Sequence, residues 1–185
     1  MSAVAAAGSQ NLWFISRASG LVLLVLFSVV VVLGVATRTG AAPRRWPRFA
    51  VAELHRTLSL FAVALLVLHV VTAILDPFVT IGWAAAVLPL ASPYRTLAIG
   101  LGALAVDLGG AVLVTSVLRQ RLGQRAWRAV HWLAYLAWPA AFIHSLTAGN
   151  DLGIWWVALA EVGSAAAVAA AVLARVFSRP ALEAP

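Results

Sequence analysis

The chain has 185 residues, 63% of them apolar and only 10% charged, with a mean hydropathy of +0.98. Soluble domains carry about a quarter charged residues, so this composition excludes a water-soluble globule and places the chain in a bilayer. The basic residues behind the formal charge of +7 are all arginine, and the lack of cysteine excludes disulfides, iron–sulfur clusters and thiolate metal sites.

A membrane-crossing helix needs about 20 mostly apolar residues, because its backbone polar groups find no water to bond. Residues 1–11 are Ala/Gly-rich and lack the basic flank of a secretory signal, so they read as a short uncleaved extracytoplasmic N-terminus. Five segments then qualify as crossings: Leu12–Ala36, Val51–Leu75, Tyr94–Leu118, Trp127–Leu146 and Ile154–Phe177. The expected fold is an all-α integral membrane bundle of about five transmembrane helices over residues 12–177, with a cytoplasmic tail at 178–185.

Arg38, Arg44, Arg45 and Arg48 follow the first crossing, where Pro43 and Pro47 punctuate a loop. After the second crossing, Phe78–Leu90 is apolar but too short to span, and Pro77, Pro89 and Pro93 bound it. It is expected on the outer interface, as a connector resting on headgroups or as a lid. Small residues in the third crossing (Gly100, Gly102, Ala103, Gly109, Gly110) and the fifth (Gly163, Ser164) suit close helix approach. Arg119, Arg121, Arg125 and Arg128 surround Gly123, the expected turn between crossings three and four, and Arg175 and Arg179 close the last crossing.

The loops at Asp76–Pro93 and Thr147–Gly153 carry Asp76 and Asp151 but no arginine. Basic loops stay in the cytoplasm, so the N-terminus is expected outside and the C-terminus inside. Topology and anionic lipid account for the arginines, and nucleic acid is not expected as a partner. No Gly-rich nucleotide loop is present, so any flavin or NAD(P)H belongs on a partner protein.

The four histidines fall on two crossings, His55 and His69 on the second, His131 and His144 on the fourth. Crossings two and four run the same way, which pairs His55 with His131 near the inner boundary and His69 with His144 nearer the outer one. Spacings of 14 and 13 residues correspond to about 21 Å and 20 Å of helix, so the tiers match in depth. Imidazoles facing each other from two helices are how bundles hold heme, and two stacked b-type hemes are the most economical reading. One mismatch remains, since 13 residues of ideal helix leave His131 and His144 about 140° apart. Pro139 lies between them, and a kink or irregular turn near Tyr135–Pro139 is expected to realign the rings.

Arg56 and Arg128 lie one and three residues from the inner histidines, and Arg17 lies shallowly at the outer end of the first crossing. They read either as partners for heme propionates or as ordinary interfacial arginines. Tyr135, Trp138, Phe61 and Phe142 lie between the tiers in sequence, with aromatic packing the favoured role. Asp107 and Glu161 are membrane carboxylates, costly there and therefore functional candidates without an assigned role.

Leu54-His55-Arg56-x-Leu58-Ser59 with His69 fourteen on, and Trp127-Arg128-x-Val130-His131-Trp132-Leu133-x-Tyr135 with His144 thirteen on, form a recognisable pattern. Together with Ser16-Arg17-Ala18-Ser19-Gly20, it resembles the ferric reductase-like transmembrane domain over residues 12–147. That superfamily includes ferric reductases, NADPH oxidases and the heme-binding membrane subunit of the periplasmic methionine sulfoxide reductase system. The resemblance implies electron transfer from a cytoplasmic flavin or NAD(P)H reductase, through heme held by His55 with His131 and His69 with His144, to an extracytoplasmic acceptor. NADPH oxidases carry a C-terminal FAD/NADPH domain, whereas here about eight residues follow the fifth crossing, so the reductase is expected on a separate chain. The lysine-free, Ala/Arg-rich composition points to the cell membrane of a high-GC bacterium.

Two other functions compete with a b-type cytochrome. A transporter or proton-conducting protein would use Asp107, Glu161 and the histidines as a relay, and a divalent-metal site would use each histidine pair in a larger ligand set. Ferric chelate, oxygen, quinone, a methionine sulfoxide reductase or an extracytoplasmic flavoprotein would all be served as terminal acceptor by the same two histidine-bearing helices.

Overall fold

The computed structural model describes residues 3–39, 47–149 and 151–177. Pro43, Arg44, Arg45, Arg179 and the expected tail at 178–185 lie outside the described residues. The helices are α1 (Ala3–Thr39), α2 (Arg48–Leu75), α3 (Thr96–Val117), α4 (Arg119–His131), α5 (Ala134–Ala148) and α6 (Trp155–Phe177), with a 3₁₀ turn at Trp83–Ala86. Stretches Gln10–Thr39, Phe49–Leu75, Thr96–Val117 and Trp155–Phe177 are each long and apolar enough to cross a membrane, so the molecule is a multi-pass helical membrane bundle.

The remaining expected crossing, Trp127–Leu146, is shared between the end of α4 and α5. The helix is overwound at the junction. Leu133, Tyr135 and Leu136 donate to the carbonyls of Val130, Trp132 and Leu133, each three residues back. Trp132 (φ −62°, ψ −22°) and Leu133 (φ −61°, ψ −20°) have the matching 3₁₀ angles. Regular bonding resumes with Ala137 donating to Leu133. Five residue steps from His131 to Leu136 at about 120° instead of 100° add about 100° of rotation, which removes most of the mismatch between His131 and His144. The irregular turn thus starts before the expected Tyr135–Pro139 interval and ends inside it. Pro139 cannot donate to Tyr135 and its ring crowds that carbonyl, so the last regular turn before it is the one that gives way.

Residues 119–126, expected as a loop, are largely helical, but Gly123 has φ +78° and breaks the helix where a turn was expected. Arg119, Arg121, Arg125 and Arg128 are all exposed along this arm.

α2 packs along α1, α5 packs along α3, and α1 continues onto α6 and α5. A small core joins α1, α5 and α6 through Val31, Trp138 and Val168, with Trp138 stacked on Phe142 at 5.1 Å. Trp138 Nε1 donates to Ser28 Oγ at 2.9 Å, which satisfies the indole inside this core. α2 contributes least to such packing, with 6% of its most apolar stretch buried against 28% for α1. A cavity of about 1650 Å³ lies between the α1–α2 and α3–α5 pairs.

Among the glycines expected at close helix contacts, Gly102 lies against His144 and Gly100 against the backbone of Leu90, whereas Gly109, Gly110 and Gly163 face open space. Ala103 and Ser164 are buried, so the small residues of α3 and α6 serve packing at some positions and not at others. The segment after α2 is anchored rather than loose. Asp76 Oδ1 accepts the Phe78 N–H at 2.9 Å, Ser92 and Tyr94 bond each other, and Arg95 donates to the carbonyls of Thr147 and Ala148 at the end of α5. Val79, Ile81, Ala85 and Tyr94 of this segment line the cavity, so it covers one end of the space between the helix pairs.

Candidate functional site

The histidines meet across the cavity in two pairs. Ring centroids of His55 and His131 are 6.4 Å apart, and those of His69 and His144 are 6.2 Å apart. The tier of His69 and His144 is called outer below, and that of His55 and His131 inner, after the arginine distribution. α2 is continuous between its two histidines, so the tiers are about 21 Å apart along it.

This separation is informative. A metal–imidazole bond of about 2 Å, with the ring centroid about 1.1 Å behind the nitrogen, sets two imidazoles on one metal about 6.3 Å apart centre to centre. The rings within each pair are inclined at 67° and 78°, which axial coordination permits because each ring turns freely about its own bond.

Three of the four rings are seated by one local device. His69 Nδ1 donates to Ser16 O at 2.8 Å, His55 Nδ1 to Val30 O at 3.0 Å, and His144 Nδ1 to Ala98 O at 2.7 Å. A carbonyl only accepts, so Nδ1 carries the proton and Nε2 keeps its lone pair for a metal. Four residues beyond each carbonyl lies a glycine, and a Cβ built on it would meet the ring. At Gly20 it would lie 2.8 Å from His69 Cε1, at Gly102 2.8 Å from His144 Nδ1, and at Gly34 3.3 Å from His55 Cε1. On α1 the two seats, Ser16 with Gly20 and Val30 with Gly34, repeat at the same 14-residue spacing as the histidines they hold. His131 differs. Its Nδ1 is buried without a hydrogen-bond partner among the described residues, a deficit of about 1–3 kcal/mol, and its ring lies 5.0 Å from that of Trp127.

All of the expected site residues line the cavity: the four histidines, Arg17, Arg56 and Arg128. The arginines differ in what they already hold. Arg17 Nε donates to Asp151 Oδ2 at 2.7 Å, Nη2 contacts the same oxygen, and the guanidinium lies over Trp13. Arg56 is exposed, with Glu53 at 3.7 Å, and Arg128 is exposed. Arg175 did not stand out in the sequence from other interfacial arginines. It donates to Tyr135 Oη at 2.6 Å, stacks 4.3 Å over Trp132 and lines the cavity from α6. Trp138 and Phe142 belong to the core, while Phe61 is exposed.

The two carboxylates do not join a common path. Asp107 is exposed on α3 and does not line the cavity. Glu161 is buried on α6, where Oε1 accepts from Ser145 Oγ at 2.9 Å and Oε2 has no partner among the described residues. No group of three or more His, Cys, Asp or Glu residues that could hold a metal ion occurs among the described residues. A bare divalent ion would find two imidazoles per tier, whereas a metal already ringed by a macrocycle needs no more than two.

The histidine pairs thus face each other in two tiers across a multi-pass helical membrane bundle. The family described as the ferric reductase like transmembrane component matches residues 19–142, and the chain belongs to that family. The matched region contains His55, His69 and His131 and ends two residues before His144. No curated protein and no solved structure matches the chain.

Proposed function

We propose that this chain is a membrane b-type cytochrome of the bacterial cell membrane. It relays electrons from a separate cytoplasmic flavin or NAD(P)H reductase, through two stacked bis-histidine hemes, to an extracytoplasmic acceptor. The observation that carries this reading is the pairing of rings at 6.4 Å and 6.2 Å, close to the spacing that two imidazoles on one iron require. Family membership supports electron transfer as the activity.

Heme, when bound, supplies the one-electron Fe(III)/Fe(II) couple. The chain's own residues do the rest. His55 and His131 would hold the inner group, and His69 and His144 the outer one, with the carbonyls of Val30, Ser16 and Ala98 fixing three rings in the liganding tautomer. Arg56 and Arg128 would meet propionates at the inner end, and Arg17, shared with Asp151, at the outer end. Apolar side chains such as Leu24, Phe27, Val63 and Leu66 line the cavity and exclude water from it. The exposed arginines at 119, 121, 125 and 128 form a basic arm beside the inner tier, suited to an acidic reductase as well as to anionic lipid.

A pyridine hemochrome assay on purified protein tests the reading, with two hemes b per chain as the expected result. A folded, colourless protein from heme-replete cells would overturn it. The transporter reading keeps Glu161, which lines the cavity that the histidines share, but loses Asp107, which lies outside it.

A further inference from the structure

The missing seat of His131 has a specific cause on α3. Along regular α3, 14 residues return to within about 40° of the same face, so the counterparts of Ala98 and Gly102 are Val112 and Ser116, and both line the cavity. Ser116 Oγ donates to Val112 O at 2.6 Å and accepts from Trp127 Nε1 at 3.2 Å. One serine therefore places a side chain at the position where the other seats have only hydrogen, and it occupies the carbonyl equivalent to the one that holds His144. Next to it, Thr115 Oγ1 donates to Ala111 O at 2.7 Å, so the neighbouring carbonyl is engaged too. His131 is left with a buried, unpartnered Nδ1 and only the tilted face of Trp127 beside it. It also ends α4 at the overwound turn, where the backbone is least regular.

A metal-bound imidazole owes part of its grip to the acceptor on its other nitrogen, and removal of such a partner commonly weakens the site about 10–100-fold. Resting on the bis-histidine reading above, we infer that His131 is a displaceable ligand. The inner tier, and not the outer, is then a binding site for a small neutral ligand of the carbon monoxide class. In the exchange, the bond from His131 Nε2 to ferrous iron breaks and a bond from the ligand carbon to iron forms. No electron is transferred, and His131 keeps its Nδ1 proton.

The test uses the holoprotein in nanodiscs, reduced with dithionite and exposed to carbon monoxide, read by difference spectroscopy against total heme. The expected result is a carbon monoxide complex of half of the heme. Ser116→Gly clears the position and releases the Val112 carbonyl, and it should slow carbon monoxide binding at least tenfold. Ser116→Ala, which releases the carbonyl alone, should slow it less, and Ser116→Thr should leave it unchanged. Two hemes per chain with neither binding carbon monoxide would overturn the inference and leave the cytochrome reading intact. Binding at the outer tier, shown by its loss in His69→Ala and not in His55→Ala, would also overturn it. A protein without heme would overturn both.

Discussion

The outer and inner tiers are built from the same plan and finished differently. In the outer tier both rings rest on a backbone carbonyl and a glycine of a neighbouring helix, Ser16 with Gly20 for His69 and Ala98 with Gly102 for His144. The inner tier has one such seat, Val30 with Gly34 for His55, and its glycine contact is the looser one at 3.3 Å. The ends differ in the same sense. Arg17 and Asp151 tie α1 to the α5–α6 connection beside the outer tier, whereas Arg56 and Glu53 beside the inner tier are an exposed pair on one helix. Histidine spacing fixes which rings meet, while the helix behind each ring fixes how firmly it is held.

Removing a ring should have the largest effect. His69→Ala or His144→Ala is expected to drop the heme content from two per chain to one by the hemochrome assay, and equal loss of both hemes would break the independence of the tiers. Next come the seats. Gly20→Ala and Gly102→Ala force the added carbon to 2.8 Å from a ring and should weaken heme retention at the outer tier about 10–100-fold, measured as transfer to an excess of heme acceptor. Gly34→Ala, at 3.3 Å, should do less, and an equal effect would show that ring contact is not what ranks the seats.

A smaller contrast lies in the ion pairs. A double-mutant cycle on Arg17→Gln and Asp151→Asn should give a coupling of about 0.5–3 kcal/mol in unfolding from detergent. The same cycle on Arg56→Gln and Glu53→Gln should stay below about 0.5 kcal/mol, as solvent-exposed helix pairs do. The smallest effect is expected for Asp107→Asn, which should leave heme content unchanged because the side chain is outside the cavity. Loss of heme there would tie α3's outward face to the site.

Much of this was legible before any coordinates. The 14- and 13-residue spacings identify which histidines share a depth, and Pro139 gives notice that the helix between His131 and His144 is irregular. The turn itself was less legible, because Trp132 and Leu133 carry no breaking signal and tighten only because the proline follows. The seats were harder still. A carbonyl has no letter of its own, so Ser16, Val30 and Ala98 are anonymous in sequence, and Gly20, Gly34 and Gly102 look no different from Gly109, Gly110 and Gly163, which touch nothing. Arg17 and Asp151 are separated by 134 residues, and Arg175 finds Tyr135 from another helix, so neither partnership leaves a local trace. Asp107 and Glu161 read alike as membrane carboxylates, but one faces outward and the other is enclosed against Ser145.

The small buried share of α2 bears on how the molecule is made. Its broad face meets a space of about 1650 Å³ rather than another helix, and α1 is its main neighbour. The core of Val31, Trp138 and Val168 already joins α1 to α5 and α6, so α2 is the helix whose place depends most on what fills that space. On the two-heme reading, heme-starved cells should therefore hold a chain with α2 loosened first, and its lifetime against membrane quality-control proteases should rise and fall with heme supply.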